Sequence, residues 1–333
     1  ISHAKCPLTV PELSDALAVK LGQTTIKPKY RPSPSIMLEC CQGLVTIDQK
    51  AGRIHLAHYS IQEYLSKNSK SLFPDAESEL GTIGLTYLLF EDFRDGPLAD
   101  SASVRHRIKE YPFLPYAAKF WGVHFQGLEF NESTKDLILT FLNSRNAIAC
   151  GNQVYQFQKG YKKVYWNAEE CLSYTALHIC SYFALDEILL DLLSQGDLSI
   201  NGATKMGTTP IIKAASKGNV STVRMLLERG ADPYLENWYG NALHCAAEAG
   251  KSATIRELVA YGMSPNACER YCWSPLSCTL DNDRASAFET LVNLGADINA
   301  IDVYGEDRVP ILHQAASYDC LNIMDLVLKH HWG

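Results

Sequence analysis

From about residue 170 onward, apolar positions recur at helical spacing in paired short runs, separated by polar breaks that glycine marks. The clearest pair spans Gly207–Pro233. Thr209-Pro210 opens a helix there, because proline in the first turn costs no hydrogen bond. Ala214 and Ala215 are small enough for a neighbouring helix to approach closely, and Gly218-Asn219 turns the chain. Val220, Val223, Leu226 and Leu227 then line one face of a second helix. Gly230 stands where a left-handed residue must end it. A helix–turn–helix unit of this size cannot bury its apolar face alone and needs copies of itself on either side.

The copies are present. Gly230-Ala-Asp-Pro233 returns as Gly262-Met-Ser-Pro265 and as Gly295-Ala-Asp-Ile298, in steps of 32 and 33 residues. The helix opening returns as Thr175-Ala-Leu-His178, Asn241-Ala-Leu-His244, Ser274-Pro-Leu-Ser277 and Pro310-Ile-Leu-His313. This pattern closely resembles the ankyrin repeat, whose opening is Thr-Pro-Leu-His followed by small residues. About five units cover residues 170–333. The resemblance implies a solenoid that binds proteins through its loop tips and inner helix face. The tip residues Trp238, Tyr239, Arg270, Tyr271, Trp273 and Tyr304 are therefore the expected partner-binding set, since exposed Trp, Tyr and Arg dominate protein–protein hot spots. Trp238 and Trp273 could instead pack their turns against the next unit. His178, His244 and His313 fall at equivalent positions, where the resemblance implies a ring bonded to the turn backbone and threonine hydroxyls of its own motif. The step from Leu276 to Leu312 is 36 residues, which places an insertion at Gly305–Val309.

The first 67 residues have a different rhythm. Thr9 and Glu12 can form a capping box, with Leu8 and Leu13 as its hydrophobic staple and Leu13 and Leu17 carrying the buried stripe onward. A proline-rich stretch, Lys27–Pro34, separates this helix from a second that Ser33-Pro34 opens through Ile36, Met37 and Leu38, and that Gly43 stops. Leu44–Asp48 and Arg53–Ala57 read as the two strands of a hairpin, and Ser60 with Glu63 forms a capping box for a closing helix. Helices, a two-stranded wing and a closing helix make a winged helix. The run His58-Tyr-Ser-Ile-Gln-Glu-Tyr-Leu65 resembles the corresponding segment of NACHT-type NLR proteins. The whole stretch from Pro7 looks like the winged helix of large fungal NACHT–ankyrin proteins, which is often named after GPI inositol-deacylase. That resemblance implies that His58 contacts the β-phosphate of ADP in an intact protein, as a switch residue and not a catalyst. An imidazole N–H is a compact donor for a phosphate oxygen. The alternative for His58 is a local structural role, which a histidine at a strand–helix junction often has.

Between them, Leu80–Phe90 is an apolar helical run, and Ser103 is placed to cap a short basic helix over Val104–Lys109. Phe113, Ala117, Phe120, Trp121 and His124 then share one helix face. Arg105, Arg107, Lys109 and Lys119 lie beside these aromatics, but an aromatic stripe at helical spacing reads as core before it reads as a base-stacking platform. Glu132–Leu142 and Ala147–Phe157 are further helices, and Lys159–Trp166 is the expected linker into the repeats. This segment too, around Tyr111-Pro-Phe-Leu and Trp121, resembles the region between winged helix and ankyrins in the same family.

Composition narrows the function. The chain has 333 residues, 47% hydrophobic and 20% charged, with a net charge of −7. The acidic balance and a second helix without Arg, Lys or Asn argue against nucleic-acid binding. No apolar run reaches the roughly 18 residues of a membrane span. Eleven scattered cysteines with no signal peptide fit reduced thiols in the cytoplasm. A start at Ile1 reads as a cut through a longer protein. Ala249-Gly250-Lys251-Ser252 mimics the end of a phosphate-binding loop, but Cys245 stands where that loop needs glycine, and a repeat helix precedes it. Neither the spacing of Cys268, Cys272 and Cys278 nor His55-x-x-His58 makes a credible metal site. No Gly-x-Ser-x-Gly elbow exists for a hydrolase.

The expected fold is mainly α: a winged helix with a small β-hairpin (1–67), a helical connecting region (68–165) and an ankyrin solenoid (166–333). The expected function is a non-enzymatic regulatory and recognition fragment of an NLR-like NTPase. Its array would bind a protein ligand, and its winged helix would answer to an upstream NACHT domain in cis. No cofactor is expected in this chain itself, with ADP or ATP held by the full-length protein. The alternative is a stand-alone ankyrin adaptor with no nucleotide link.

Overall fold

A computed structural model describes residues 1–158, 166–268, 273–299, 301–304 and 307–332. The chain forms two compact units, 1–175 and 176–333.

The first unit opens with α1 (Val10–Ala18), started by the expected box: Glu12 N–H donates to Thr9 Oγ1 at 3.4 Å, and Thr9 N–H to Glu12 Oε2 at 2.6 Å. Its buried face differs from the expected one. Asp15, Ala16 and Ala18 face inward, while Leu17 is 56% exposed. The cause is a polar node. The Asp15 carboxylate, 1% exposed, accepts from Arg31 Nε at 2.6 Å and from the Tyr87 hydroxyl at 2.6 Å, and these bonds offset its desolvation. Helix α2 (Pro34–Cys40) is capped by Ser33 and buries Met37. Strands β1 (Val45–Asp48) and β2 (Arg53–Leu56) pair antiparallel, with Thr46 opposite His55. A third stretch joins this wing, which the two-stranded reading missed. Thr9 bridges Arg53, Ile54 N–H donates to the Leu8 carbonyl at 2.9 Å, and Val10 N–H donates to the Gly52 carbonyl at 2.9 Å. Helix α3 (Tyr59–Lys67) closes the domain.

Beyond α4 (Ser69–Leu72) come α5 (Ala76–Leu88), α6 (Ser101–Glu110), α7 (Leu114–His124), α8 (Glu132–Asn143), α9 (Arg145–Gln158) and α10 (Ala168–Leu172). Helices α5 and α7 cross closely because glycine faces the crossing. A Cβ on Gly81 would lie 2.6 Å from the Phe125 ring, and one on Gly84 would lie 3.0 Å from Trp121 Cβ. Phe113, Ala117, Trp121 and His124 are buried and Phe120 is half-buried, so the aromatic stripe is core and not a platform for stacking bases. Each fully buried Phe contributes about 1.5–3 kcal/mol relative to exposure. The cap of α6 is Asp100, not Ser103: Asp100 Oδ1 accepts from Ala102 N–H and Ser103 N–H, both at 2.9 Å, so the helix starts earlier than expected. Of the expected linker, residues 159–165 lie outside the described residues. Trp166 is buried, with its ring edge-on to Phe157.

The second unit is a stack of helix pairs. These are α11 (Ala176–Phe183) with α12 (Asp186–Gln195), α13 (Pro210–Lys217) with α14 (Val220–Glu228), and α15 (Ala242–Glu248) with α16 (Ser252–Tyr261). A 3-10 helix (Ser277–Asn282) then pairs with α17 (Ala285–Asn293), and α18 (Ile311–Ser317) with α19 (Leu321–Trp332). Gly218 and Gly250 take positive φ at inter-helix turns, which confirms Gly250-Lys251 as a turn of the repeat. The opening helix of the fourth pair is wound as 3-10 where its own hydroxyls bond back: Thr279 Oγ1 donates to the Leu276 carbonyl at 2.6 Å and Ser277 Oγ to the Ser274 carbonyl at 2.8 Å. Of the expected insertion, Gly305–Val309, residues 305 and 306 lie outside the described residues; on either side of them β3 (Ile301–Tyr304) pairs antiparallel with β4 (Asp307–Pro310).

Candidate recognition surface

Trp238 and Tyr239 sit at the apex of a tight turn between α14 and α15. Asn237 N–H donates to the Gly240 carbonyl at 3.0 Å, and Gly240 N–H returns a bond to the Asn237 carbonyl at 3.2 Å. The Asn237 side chain fixes the apex, with Oδ1 accepting from Tyr239 N–H at 2.7 Å and Nδ2 donating to Thr208 Oγ1 of the preceding tip at 3.2 Å. Gly207 lets the two tips close on each other, since a Cβ there would stand 2.6 Å from the Glu236 carbonyl oxygen. The backbone is thus held from both sides, while Trp238 is 61% exposed and Tyr239 39%. Large apolar rings on a pre-organised turn lose little conformational freedom when a partner covers them.

Sequence reasoning passed over two neighbours on the same tip, Tyr234 and Leu235, which are 53% and 37% exposed. Their signal was present: two large apolar residues directly after Pro233, where a turn needs neither. Trp273 is half-buried, and its carbonyl takes a bond from His244 Nε2 at 3.1 Å. Arg270 and Tyr271 lie outside the described residues. Tyr304 ends β3 opposite Asp307.

The histidines of the repeat openings bond turn backbone as expected, but that backbone belongs to the next unit. The His178 ring is buried and its Nε2 donates to the Thr208 carbonyl at 2.9 Å, thirty residues ahead in the next unit and not in its own motif. His244 Nε2 reaches the Trp273 carbonyl in the same way, while its Nδ1 meets Asn241 Oδ1 of its own motif at 2.8 Å, as expected. His313, in the last described pair, is exposed. Burial pushes the His178 pKa down to about 4. Groups of three or more His, Cys, Asp or Glu able to hold a metal are absent among the described residues. Cys268 is exposed and Cys278 buried, so those two do not converge on a site.

On the winged helix, His58 is itself the N-cap of α3, correcting the expected Ser60–Glu63 box. Its backbone is extended, its Nδ1 accepts from Ser60 N–H at 3.1 Å, and Glu63 pairs with Lys67 at 2.7 Å instead. A nitrogen that accepts from a backbone N–H carries no proton in the neutral ring, so the proton sits on Nε2. His58 is exposed, and α3 has no buried residue: Tyr59 is 74% and Tyr64 59% exposed. No helix among the described residues is long and apolar enough to cross a membrane.

Comparison with known proteins agrees with both parts. The family described as GPI inositol-deacylase, winged helix domain, matches residues 1–79, and the family of ankyrin repeats in three copies matches residues 146–237. The chain is 26% identical over 254 residues to azaphilone pigments biosynthesis cluster protein L of Monascus ruber, covering 68% of this chain and 53% of that protein. It is 32% identical over 146 residues to a transient receptor potential cation channel subfamily A member 1 homolog of Caenorhabditis elegans, covering 43% of this chain and 12% of that protein. It is 35% identical over 104 residues to cyclin-dependent kinase 4 inhibitor B of Mus musculus, covering 29% of this chain and 75% of that protein. The chain thus spans about half the length of the Monascus relative and about an eighth of the nematode one. With repeats and wing both matched, the chain belongs to the ankyrin-repeat proteins and carries, before its repeats, a winged-helix domain of the GPI inositol-deacylase type.

Proposed function

We propose that this chain is a non-enzymatic recognition and regulatory module of the cytoplasm, whose ankyrin array captures a protein ligand and whose winged helix reports that event to a nucleotide switch. The observation that carries the recognition half is the rigid aromatic apex: Trp238 and Tyr239 exposed on a turn that Asn237 and Gly207 hold in place. Trp273 and Tyr304, with Arg270 and Tyr271, complete the proposed contact set. A photo-crosslinking amino acid at position 238, introduced in the native host, tests it. The expected result is a discrete protein adduct that the same probe at Ser221 does not give; equal adducts at both positions would sink the reading.

For the regulatory half, the support is the tautomer and exposure of His58. Nε2–H is a donor of the kind a phosphate oxygen takes, and it sits beside the unburied face of α3, where an upstream NACHT domain in cis would pack. ADP or ATP would be held mainly by that domain, and His58 would add one hydrogen bond. The test uses the protein with its upstream region. Co-purified ADP should fall at least several-fold in His58→Ala, whereas unchanged ADP would leave the stand-alone adaptor. That alternative has its own support, because capping α3 is already a structural task for His58.

A further inference from the structure

The first ten residues form a strap with two anchorages. At one end, Leu8 and Val10 complete the wing sheet through their bonds with Ile54 and Gly52. At the other, Lys5 closes a ring of hydrogen bonds with α5 and α7. Lys5 N–H donates to the Tyr116 hydroxyl oxygen at 3.0 Å, Tyr116 lies 2.8 Å from His124 Nε2, His124 Nδ1 meets Glu77 Oε2, and Lys5 Nζ donates to Glu77 Oε1 at 2.8 Å. His3 adds an edge-on ring contact with Phe73.

The proton positions in this ring are dictated. Burial works against the Glu77 carboxylate, but the bonds from Lys5 and His124 hold its pKa below the ordinary value, so it only accepts. His124 must then carry its proton on Nδ1, leaving Nε2 to accept the Tyr116 O–H. Every donor has one acceptor. Protonating Nε2 of His124 breaks the pattern: that N–H must point at Tyr116 oxygen, which already receives Lys5 N–H, and the tyrosine proton is turned off its acceptor. Tyr116 is 4% exposed and His124 1%, so water cannot readily repair the mismatch.

We infer that the Lys5–Tyr116–His124–Glu77 ring is an acid-sensitive latch, which holds the strap, and with it the wing, to helices α5 and α7 and lets the strap go when His124 gains a proton. The charged and titratable groups facing the ring are Glu77 from α5, Tyr116 from α7 itself, Lys5, Cys6 and His3 from the strap, and Glu12 from α1. Burial, more than the opposing pull of Glu77, sets the His124 pKa below its ordinary value. The neutral form is therefore the one the fold favours. The latch is intact above the unfolded value of about 6.5 and opens as pH falls through the lower folded value.

The test is hydrogen exchange of peptides covering residues 3–8, corrected for the intrinsic effect of pH, at about pH 7.5 and about pH 5. In the wild type, exchange should rise about tenfold at the lower pH, equivalent to a shift of about 1.4 kcal/mol in the opening equilibrium. In His124→Gln, whose amide can accept from Tyr116 and donate to Glu77 without titrating, the step should vanish. A wild type without the step, or a variant that keeps it, overturns the latch. Should His124→Gln not fold, Tyr116→Phe decides. Without the acceptor for Lys5 N–H, the strap should exchange fast at both pH values, and a preserved step would again refute the inference.

Discussion

His178 offers the sharpest test of how the array is held together. Its ring is 1% exposed, and the Thr208 carbonyl at 2.9 Å can only accept, so Nε2 carries the single proton of the neutral ring. Desolvation lowers its folded-state pKa to about 4, whereas the unfolded chain keeps about 6.5. A depressed pKa means that, as pH falls, the unfolded chain takes up this proton first. Its contribution to stability is therefore complete above about pH 6.5 and disappears as pH falls towards 4. One such proton changes the unfolding free energy by about 1.4 kcal/mol per pH unit, or about 3.4 kcal/mol over this window of about 2.5 units. Other groups titrate in the same range, so the informative quantity is the difference between wild type and His178→Gln, which keeps an N–H donor but cannot ionise. Urea unfolding at steps from about pH 7.5 to about pH 4.5 should show the variant about 1–2 kcal/mol less stable at neutral pH, with the gap closing and then reversing on acidification. Parallel stability curves for the two proteins would refute the reasoning, because the buried ring would then make no pH-dependent contribution.

Asp15→Ala should destabilise the first unit by about 3 kcal/mol, measured by urea unfolding, because it strands the Arg31 guanidinium and the buried Tyr87 hydroxyl together; a loss below about 1 kcal/mol would show that water replaces the carboxylate. Gly207→Ala combines a positive φ of 81° with backbone contact at 2.6 Å, so it should cost more than about 1 kcal/mol and strip exchange protection from the Asn237 and Gly240 amides. Unchanged protection there would mean that the apex holds itself. A thiol reagent should modify Cys40 and Cys268 promptly, but Cys180, whose pKa burial raises, only at the rate of unfolding.

Much of the array could be read from the sequence because its signals repeat. Glycines at the turns and leucines at fixed steps each have several chances to be recognised, and the helix pairs fall where the period places them. What stayed hidden was set by partners distant in sequence. Leu17 has the right spacing for a buried stripe, yet Asp15 takes the interior because Arg31 and Tyr87 await it. Thr9 pairing with Arg53 is likewise invisible to local pattern, and so is the reach of Lys5 to Tyr116. Two caps were misassigned by a few residues, Ser60 for His58 and Ser103 for Asp100. In each, the residue upstream was still extended and took the amide first. At the recognition surface, Trp238 and Tyr239 stood out as aromatics in a turn, but the hold of Asn237 and Gly207 on that turn needed coordinates.

Besides bonds between their second helices, such as Arg224 with Glu257, successive helix pairs are joined along two separate seams. One follows the tips, where Asn201 Oδ1 accepts from Asp232 N–H at 2.8 Å and Asn266 Oδ1 from Asp297 N–H at 2.7 Å. The other follows the inter-helix turns, where Asn219 Nδ2 donates to the Ser181 carbonyl at 2.8 Å and Asp283 accepts from Asn322 Nδ2 at 2.6 Å and Ile323 N–H at 3.1 Å. Between the last two pairs the strands β3 and β4 stand on the tip edge, while the Asp283 stitch holds the start of α19 at the turn edge. A stack sewn twice can lengthen along one edge without losing alignment along the other. New binding fingers can therefore be added to the tip edge of such a protein while the turn edge preserves the solenoid.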